Sequence, residues 1–388
     1  MTRRPDKVGV LIAFLLFYAV IALPFMTVRA NRIVTGEAKS ILGSLPVSAA
    51  IIFVGFALLA SAAAFFRTPI RLRLSVALIG LVALAVFAGI AATAITPENN
   101  SYARVSPASG FWLLLAGFLL LATDAIARLQ PRPIVRVALL AGGLSALAAF
   151  LSSGLWNDLS ILKEYASRAD IFWTEARRHL ELALGSLLVA TLVGIPLGIL
   201  CARVTRVRST ILNVLNIVQT IPSIALFGLL IAPLGWIAAN IAGASAIGIR
   251  GIGMAPAFVA LFLYSLLPVV SNTVVGLSGV SQAVREAARG LGMTATQRLF
   301  QIEFPLAFPV ILTGIRIVLV QNIGLATIAA LIGGGGFGVF VFQGIGQTAM
   351  DLVLLGTIPT VLLGLTAAIL LDALIDSNLF SASRKREA

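Results

Sequence analysis

Apolar positions along the 388-residue chain run in ten continuous stretches of about twenty residues, at roughly 8–28, 47–66, 74–95, 109–127, 137–156, 182–202, 211–235, 255–277, 307–331 and 352–374. A run of that length is what an α-helix needs to cross the hydrocarbon core of a bilayer. Because the runs are continuous instead of alternating, they predict spanning helices and not barrel strands. The expected fold class is therefore all-α integral membrane, with about ten transmembrane helices.

The polar positions divide the chain into two textures. Residues 1–156 read as an accessory membrane region of five simple spans rich in Ala, Leu, Phe and Gly. Asp124 is the charged exception there, and its place four residues before Arg128 predicts a helical ion pair. The stretch 157–181, "NDLSILKEYASRADIFWTEARRHLE", mixes both signs of charge with Phe172 and Trp173. It is expected to be an external amphipathic connection lying along the interface. His179, the only histidine, has no second histidine or cysteine nearby and is expected at that interface, not as a metal ligand.

Residues 182–375 carry five further spans of different character. Pro196, Pro222, Pro268 and Pro309 interrupt them, and Asn213, Asn216, Gln219, Thr220, Asn272, Thr273, Gln321 and Asn322 place polar groups inside them. Freed backbone groups in a membrane helix are tolerated best where protein or a water-filled cavity satisfies them again. Gln219, Thr220, Tyr264, Asn272, Arg316 and Gln321 are thus candidates to line a translocation path, with hydrogen-bonded helix glue as the alternative for each. Arg316 is the costliest, at about 2.5–3.5 kcal/mol near a helix centre.

Composition and charge sharpen this picture. The chain is 59% hydrophobic and 11% charged, against about 25% charged in soluble domains. A formal charge of +13 would suggest nucleic acid in a soluble protein, but its distribution points to topology. With the N-terminus in the cytosol, eighteen Lys and Arg fall on that side and nine on the other, with Arg316 inside a span. This asymmetry predicts cytosolic termini, a basic cytosolic tail at 376–388, contact with lipid and no nucleic-acid partner. The lone Cys201 excludes a disulfide within the chain. "NNS" at 99–101 has the form of a glycosylation sequon.

Catalytic and cofactor signatures are missing from the sequence. No G-x4-GK[ST] string cradles phosphates. "GGGGFG" at 333–338 satisfies G-x-G-x-x-G only as a string, since no strand precedes it and no ribose-binding acid follows, so flexible backbone near an outer gate is the expectation. No paired carboxylates, metal cluster or nucleophile–base set stands out, so no catalytic or metal-ligating residue is expected. An ion-coupled secondary transporter or channel is one reading of such proline-broken spans. Such proteins place carboxylates at mid-membrane, whereas Asp124, Asp372 and Asp376 lie near predicted cytosolic ends.

The informative polar segment is 278–305, between two spans on the cytosolic side. Val284, Ala287, Ala288 and Leu291 follow the i, i+3, i+4, i+7 spacing of a narrow apolar helical stripe. Gln282, Arg285, Glu286 and Arg289 line the opposite side, and Gly290 and Gly292 end the helix. A second short helix is expected from about Thr294 to Gln301. One helix is expected to pack on the membrane region and the bend to protrude, with small alanines that let another backbone approach.

These residues carry a resemblance. Glu286, Ala287, Ala288, Gly292, Ile302 and Pro305 fit the E-A-A-x3-G-x9-I-x-L-P loop of ABC importer permeases, with Phe304 where leucine is usual. "LVGIPLGILCAR", "IVQTIPSIALFGLLI" and "TIAALIGGGGFGVFVFQGI" resemble the osmoprotectant branch, over about residues 175–375. The resemblance implies a C-terminal type I ABC importer permease core moving glycine betaine or a related quaternary ammonium compound. It implies that the loop is a coupling helix seated on a cytosolic ABC ATPase dimer. It also implies an extracytoplasmic substrate-binding protein and a second permease subunit, identical or homologous. No cofactor would be bound by this chain, and ATP and Mg would be used by the partner ATPase. The first five spans resemble only a longer-chain subgroup, and the motif assigns them no role.

Overall fold

A computed structural model describes residues 6–31, 34–97, 100 and 102–377. Asn99 and Ser101 of the sequon and nearly all of the predicted 376–388 tail lie outside the described residues. The described chain forms two compact units that divide between Ser167 and Arg168.

The first unit contains helices α1 (Lys7–Ala22), α2 (Ile41–Ser44), α3 (Val47–Phe65), α4 (Ile70–Ile95), α5 (Ser109–Leu129), α6 (Pro133–Ser152) and α7 (Ser160–Ser167). Asp6 caps α1 by accepting from the Val8 N–H at 3.2 Å. The first run, expected over 8–28, stops being helical at Ala22, because Pro24 disfavours a helical residue before it. The chain instead enters strand β1 (Met26–Arg29), the centre of an antiparallel sheet with β2 (Glu37–Lys39) and β3 (Arg104–Pro107). Met26 sits opposite both Lys39 and Pro107. This sheet was not expected, since strands of three or four residues are too short to show a period. Phe25, Phe53 and Phe118 are fully buried in the core, whereas α6 buries none of its residues.

The ion pair expected in this unit is part of a larger cluster. Arg128 bonds Asp124 at 2.9 Å one turn away, and also meets Asp6 at 2.8 Å. Arg73, 1% exposed, bonds Asp6 at 2.6 Å and reaches Asp124 at 3.4 Å, and it donates to the Ala64 and Phe66 carbonyls. Four charges so fasten the ends of α1, α4 and α5. The Arg128 hydrogen bond outweighs the opposing effect of burial, and with Arg73 it holds the Asp6 carboxyl well below its usual range.

The second unit contains α8 (Ala169–Arg203), α9 (Thr205–Thr220), α10 (Ser223–Leu229), α11 (Ile231–Asn240), α12 (Met254–Ser278), α13 (Gln282–Gly290), α14 (Ala295–Arg298), α15 (Phe304–Leu325), α16 (Gly338–Gly346) and α17 (Met350–Ile375). Two expectations are corrected here. Residues 169–181 do not form a separate connection along an interface, because they are the first turns of α8. At 35 residues that helix is about 50 Å long, well beyond the ~30 Å hydrocarbon core. The run 211–235 is not one helix either. Pro222 ends α9 at Thr220, and the chain restarts as two short helices. Pro196, Pro268 and Pro309 remain inside continuous helices.

At the centre, α12 packs between α8 and α15. Gly194 and Gly198 of α8 lie so close to Val269 and Thr273 that added β-carbons would fall 2.8 and 2.5 Å from them. Small residues at such crossings let membrane helices approach. Among the described residues, nine helical stretches are long and apolar enough to cross a membrane, and α1 is shorter, at 16 residues.

Candidate functional site

The segment 278–305 folds as two short helices with a bend between them. Ser281 caps α13 by accepting from the Val284 N–H. The bend uses Gly292 at φ +77°, a left-handed conformation that glycine adopts without strain. Thr294 and Gln297 cap α14 reciprocally, at 3.2 and 2.9 Å. The second helix is shorter than expected. After Arg298 the backbone makes a π turn over Leu299–Glu303 and runs straight into α15, with Pro305 in its first turn.

The predicted stripe is mostly uncovered. Ala288 is buried, whereas Glu286 and Ala287 are exposed, Val284 is 37% and Leu291 83% exposed. Apolar packing therefore does not hold α13 to the body. A polar tie does so, with Arg285 Nη2 donating to the Leu277 carbonyl at the end of α12. Glu286 has a local partner, accepting from Gln282 Nε2 at 2.7 Å. Gly292 is exposed, Ile302 half-buried and Pro305 exposed.

Sequence reasoning missed Glu303. It is 2% exposed, and its carboxylate meets Arg203 at 2.7 Å and Arg298 at 3.0 Å. Glu303 occupies the one unspecified position in I-x-L-P, so the motif did not draw attention to it. An isolated acid at the mouth of an apolar run was the available signal.

The candidate path residues separate into two groups. Gln219 and Tyr264 come together where α9 breaks. Gln219 Nε2 donates to the Tyr264 carbonyl at 2.7 Å, and the Tyr264 hydroxyl donates to the Ile221 carbonyl left free before Pro222. This satisfies the broken backbone in the way a membrane interior requires. Thr220 is exposed and donates to its own helix at Ile217. Asn272 donates to the Pro268 carbonyl at 2.8 Å. Arg316 is paired, at 2.8 Å, with Asp372 of α17, each side chain about one-third exposed. Gln321 is half-buried. Its neighbour Asn322 is fully buried and bonds Ser186 and Ser265 at 2.9 Å each, joining α15 to α8 and α12.

The glycine string is held by α8. Glu175 accepts from the Gly336 N–H at 2.6 Å, and His179 Nδ1 accepts from the Phe337 N–H at 3.4 Å. His179 is fully buried, with its ring 5.0 Å from that of Phe337, so its expected interface position is corrected. It lies on the α8 face that also buries Leu182, Ala183 and Ser186. Gly335, at φ +78°, has no room for a side chain, because a β-carbon would fall 2.6 Å from Glu175 Oε2. Gly335→Ala should cost about 1–2 kcal/mol in backbone strain besides displacing Glu175, measurable as a lower thermal-unfolding midpoint in detergent.

Among the described residues no group of three or more His, Cys, Asp or Glu could hold a metal ion. Residues 194–378 match the family described as binding-protein-dependent transport system inner membrane component, and residues 6–162 match the N-terminal domain of ABC transporter permease YehY. The chain is 43% identical over 198 residues to the osmoprotectant import permease protein OsmW of Salmonella typhimurium, covering 51% of this chain and 85% of that one. It is 36% identical over 187 residues to the choline transport system permease protein OpuBB of Bacillus subtilis, covering 48% and 79%. It is 40% identical over 216 residues to the osmoprotectant import permease protein OsmY of Salmonella typhimurium, covering 55% and 81%.

Proposed function

The chain belongs to the binding-protein-dependent inner membrane components of ABC transport systems, and from that premise we propose that its cargo is an osmoprotectant, glycine betaine or a related quaternary ammonium compound. It is a multi-pass permease subunit of an ATP-driven importer. The cargo reading is supported by the relatives named for osmoprotectant and choline transport.

In this reading the chain catalyses nothing and binds no cofactor. A cytosolic ABC ATPase dimer uses ATP and Mg, an extracytoplasmic binding protein delivers the cargo, and a second permease, identical or homologous, completes the path. Both termini face the cytosol in the plasma (inner) membrane. The observation that carries the coupling role is the exposure of Glu286 and Ala287 on α13, a helix bound to the body by a polar tie instead of a packed face. A push on α13 along the membrane plane reaches α12 through Arg285 and α15 through the continuous π turn. The three packed spans then respond as a rigid body, the way bistable transporters switch. Gln219, Thr220, Tyr264, Asn272, Arg316 and Gln321 are proposed to border the path. Quaternary ammonium ligands are recognised by aromatic cages through cation–π contact, and that selectivity is assigned to the binding protein.

The test is uptake of labelled glycine betaine into vesicles holding the chain with its ATPase and binding protein. Uptake that needs ATP and is competed by choline is expected. Uptake that follows an imposed ion gradient and ignores ATP would overturn the reading.

A further inference from the structure

Glu303 draws three guanidinium groups from three segments onto one buried carboxylate. Its Oε2 accepts from Arg203 Nη2 at 2.7 Å, its Oε1 accepts from Arg298 Nε at 3.0 Å, and Arg285 Nε stands 4.0 Å from Oε1. Arg203 closes α8, Arg298 closes α14, Arg285 lies on α13, and Glu303 immediately precedes α15. The loop and the feet of two spans therefore meet at one side chain. Arg203 at the C-terminus of α8 suits the dipole of its helix.

A carboxylate this deeply buried is tolerable only while paired. Drawing α14 or the foot of α8 away from it would strand a buried charge, so these segments are constrained to move together. The π turn over Leu299–Glu303 lies between loop and span. Such turns widen the helix locally, are rare, and concentrate at functional positions. Arg285 adds a second observation. Its Nη2 is engaged with Leu277, while its Nε is buried with no hydrogen-bond partner among the described residues. An orphaned buried donor is unfavourable, and a shift of about 1 Å toward Glu303 would bring it into hydrogen-bond range.

We propose that Glu303 is the positioning residue that gears the coupling loop to the feet of α8 and α15, and that Arg285 Nε closes on it when α13 is pushed toward the body. The proposal rests on the reading of α13 as the ATPase-docking element. It assigns to Glu303 the transmission of movement, distinct from the docking contact made by Glu286 and its neighbours.

The experiment measures ATP hydrolysis and labelled glycine betaine uptake together in proteoliposomes holding the complete transporter. Glu303→Gln and Arg203→Ala should each assemble with the ATPase and raise the ATP consumed per substrate imported at least fivefold. A lesion of folding alone would lower both rates in proportion and leave the ratio unchanged. If Glu303→Gln fails to assemble, Arg203→Ala decides, because its side chain is already 37% exposed, and an unchanged ratio in that variant overturns the proposal. Arg285→Lys keeps the charge and removes the Nε donor; it should raise the ratio at least twofold, and no change there overturns the closing step. A wild-type complex with no ATP-driven uptake would overturn the functional reading instead.

Discussion

Glu286→Lys should leave the chain inserted in the membrane at wild-type yield and lower ATP-driven uptake at least tenfold. Within the chain, Glu286 is exposed and meets Gln282 on its own helix. An exposed substitution of this kind shifts stability by no more than about 0.5 kcal/mol. At a docked surface the same reversal has a much larger effect, since losing one member of a close interfacial charge pair costs about 2–5 kcal/mol. The two outcomes separate cleanly in one preparation, with membrane yield reporting folding and co-purification of the ATPase reporting docking. Wild-type uptake in this variant would remove α13 from the coupling path.

Arg73→Ala should destabilise the first unit by about 3–5 kcal/mol, the range expected when one partner of a buried ion pair is removed. Asp6 and Asp124 would keep only the partly exposed Arg128 as a shared guanidinium, and the Ala64 and Phe66 carbonyls would lose a donor. The thermal-unfolding midpoint in detergent is the measurement, and an unchanged midpoint would show that the cluster contributes nothing to stability. The wild-type cluster also carries a pH signature. Because the folded state depresses the Asp6 pKa, its contribution is complete above the unfolded carboxylate value of about 4. It is lost as pH falls from there toward the lower folded value.

These two residues illustrate how differently local and distant relations are written in the chain. The setting of Glu286 is legible because its relations are local. Its neighbours Ala287, Ala288 and Gly292 fall within one helix and one bend, where spacing alone fixes their relations. Arg73, by contrast, is in the sequence only one of many Lys and Arg between the apolar runs. Its meeting with Asp6 and Asp124 spans 67 and 51 residues, and no local period encodes such a distance. The same holds for Asn322, which was named among the polar residues of the spans while its neighbour Gln321 was chosen for the path. A shift of one helical position rotates a side chain by about 100°, and only packed neighbours show which of the two faces Ser186 and Ser265.

The sequence by itself determined that the chain is helical, built for a bilayer, divided into two textures, and furnished with a capped, glycine-bent loop between two spans. Each of those properties follows from composition, run length or local spacing, which act over a few turns of helix. Tertiary structure alone decided that residues 169–181 extend α8, that Gln219 and Tyr264 mend the break at Pro222, that Glu175 and His179 hold the glycine string, and that Glu303 gathers Arg203 and Arg298. The reason is that a buried polar group must find its partner wherever the fold brings one within about 3 Å, and sequence separation places no limit on where that partner comes from.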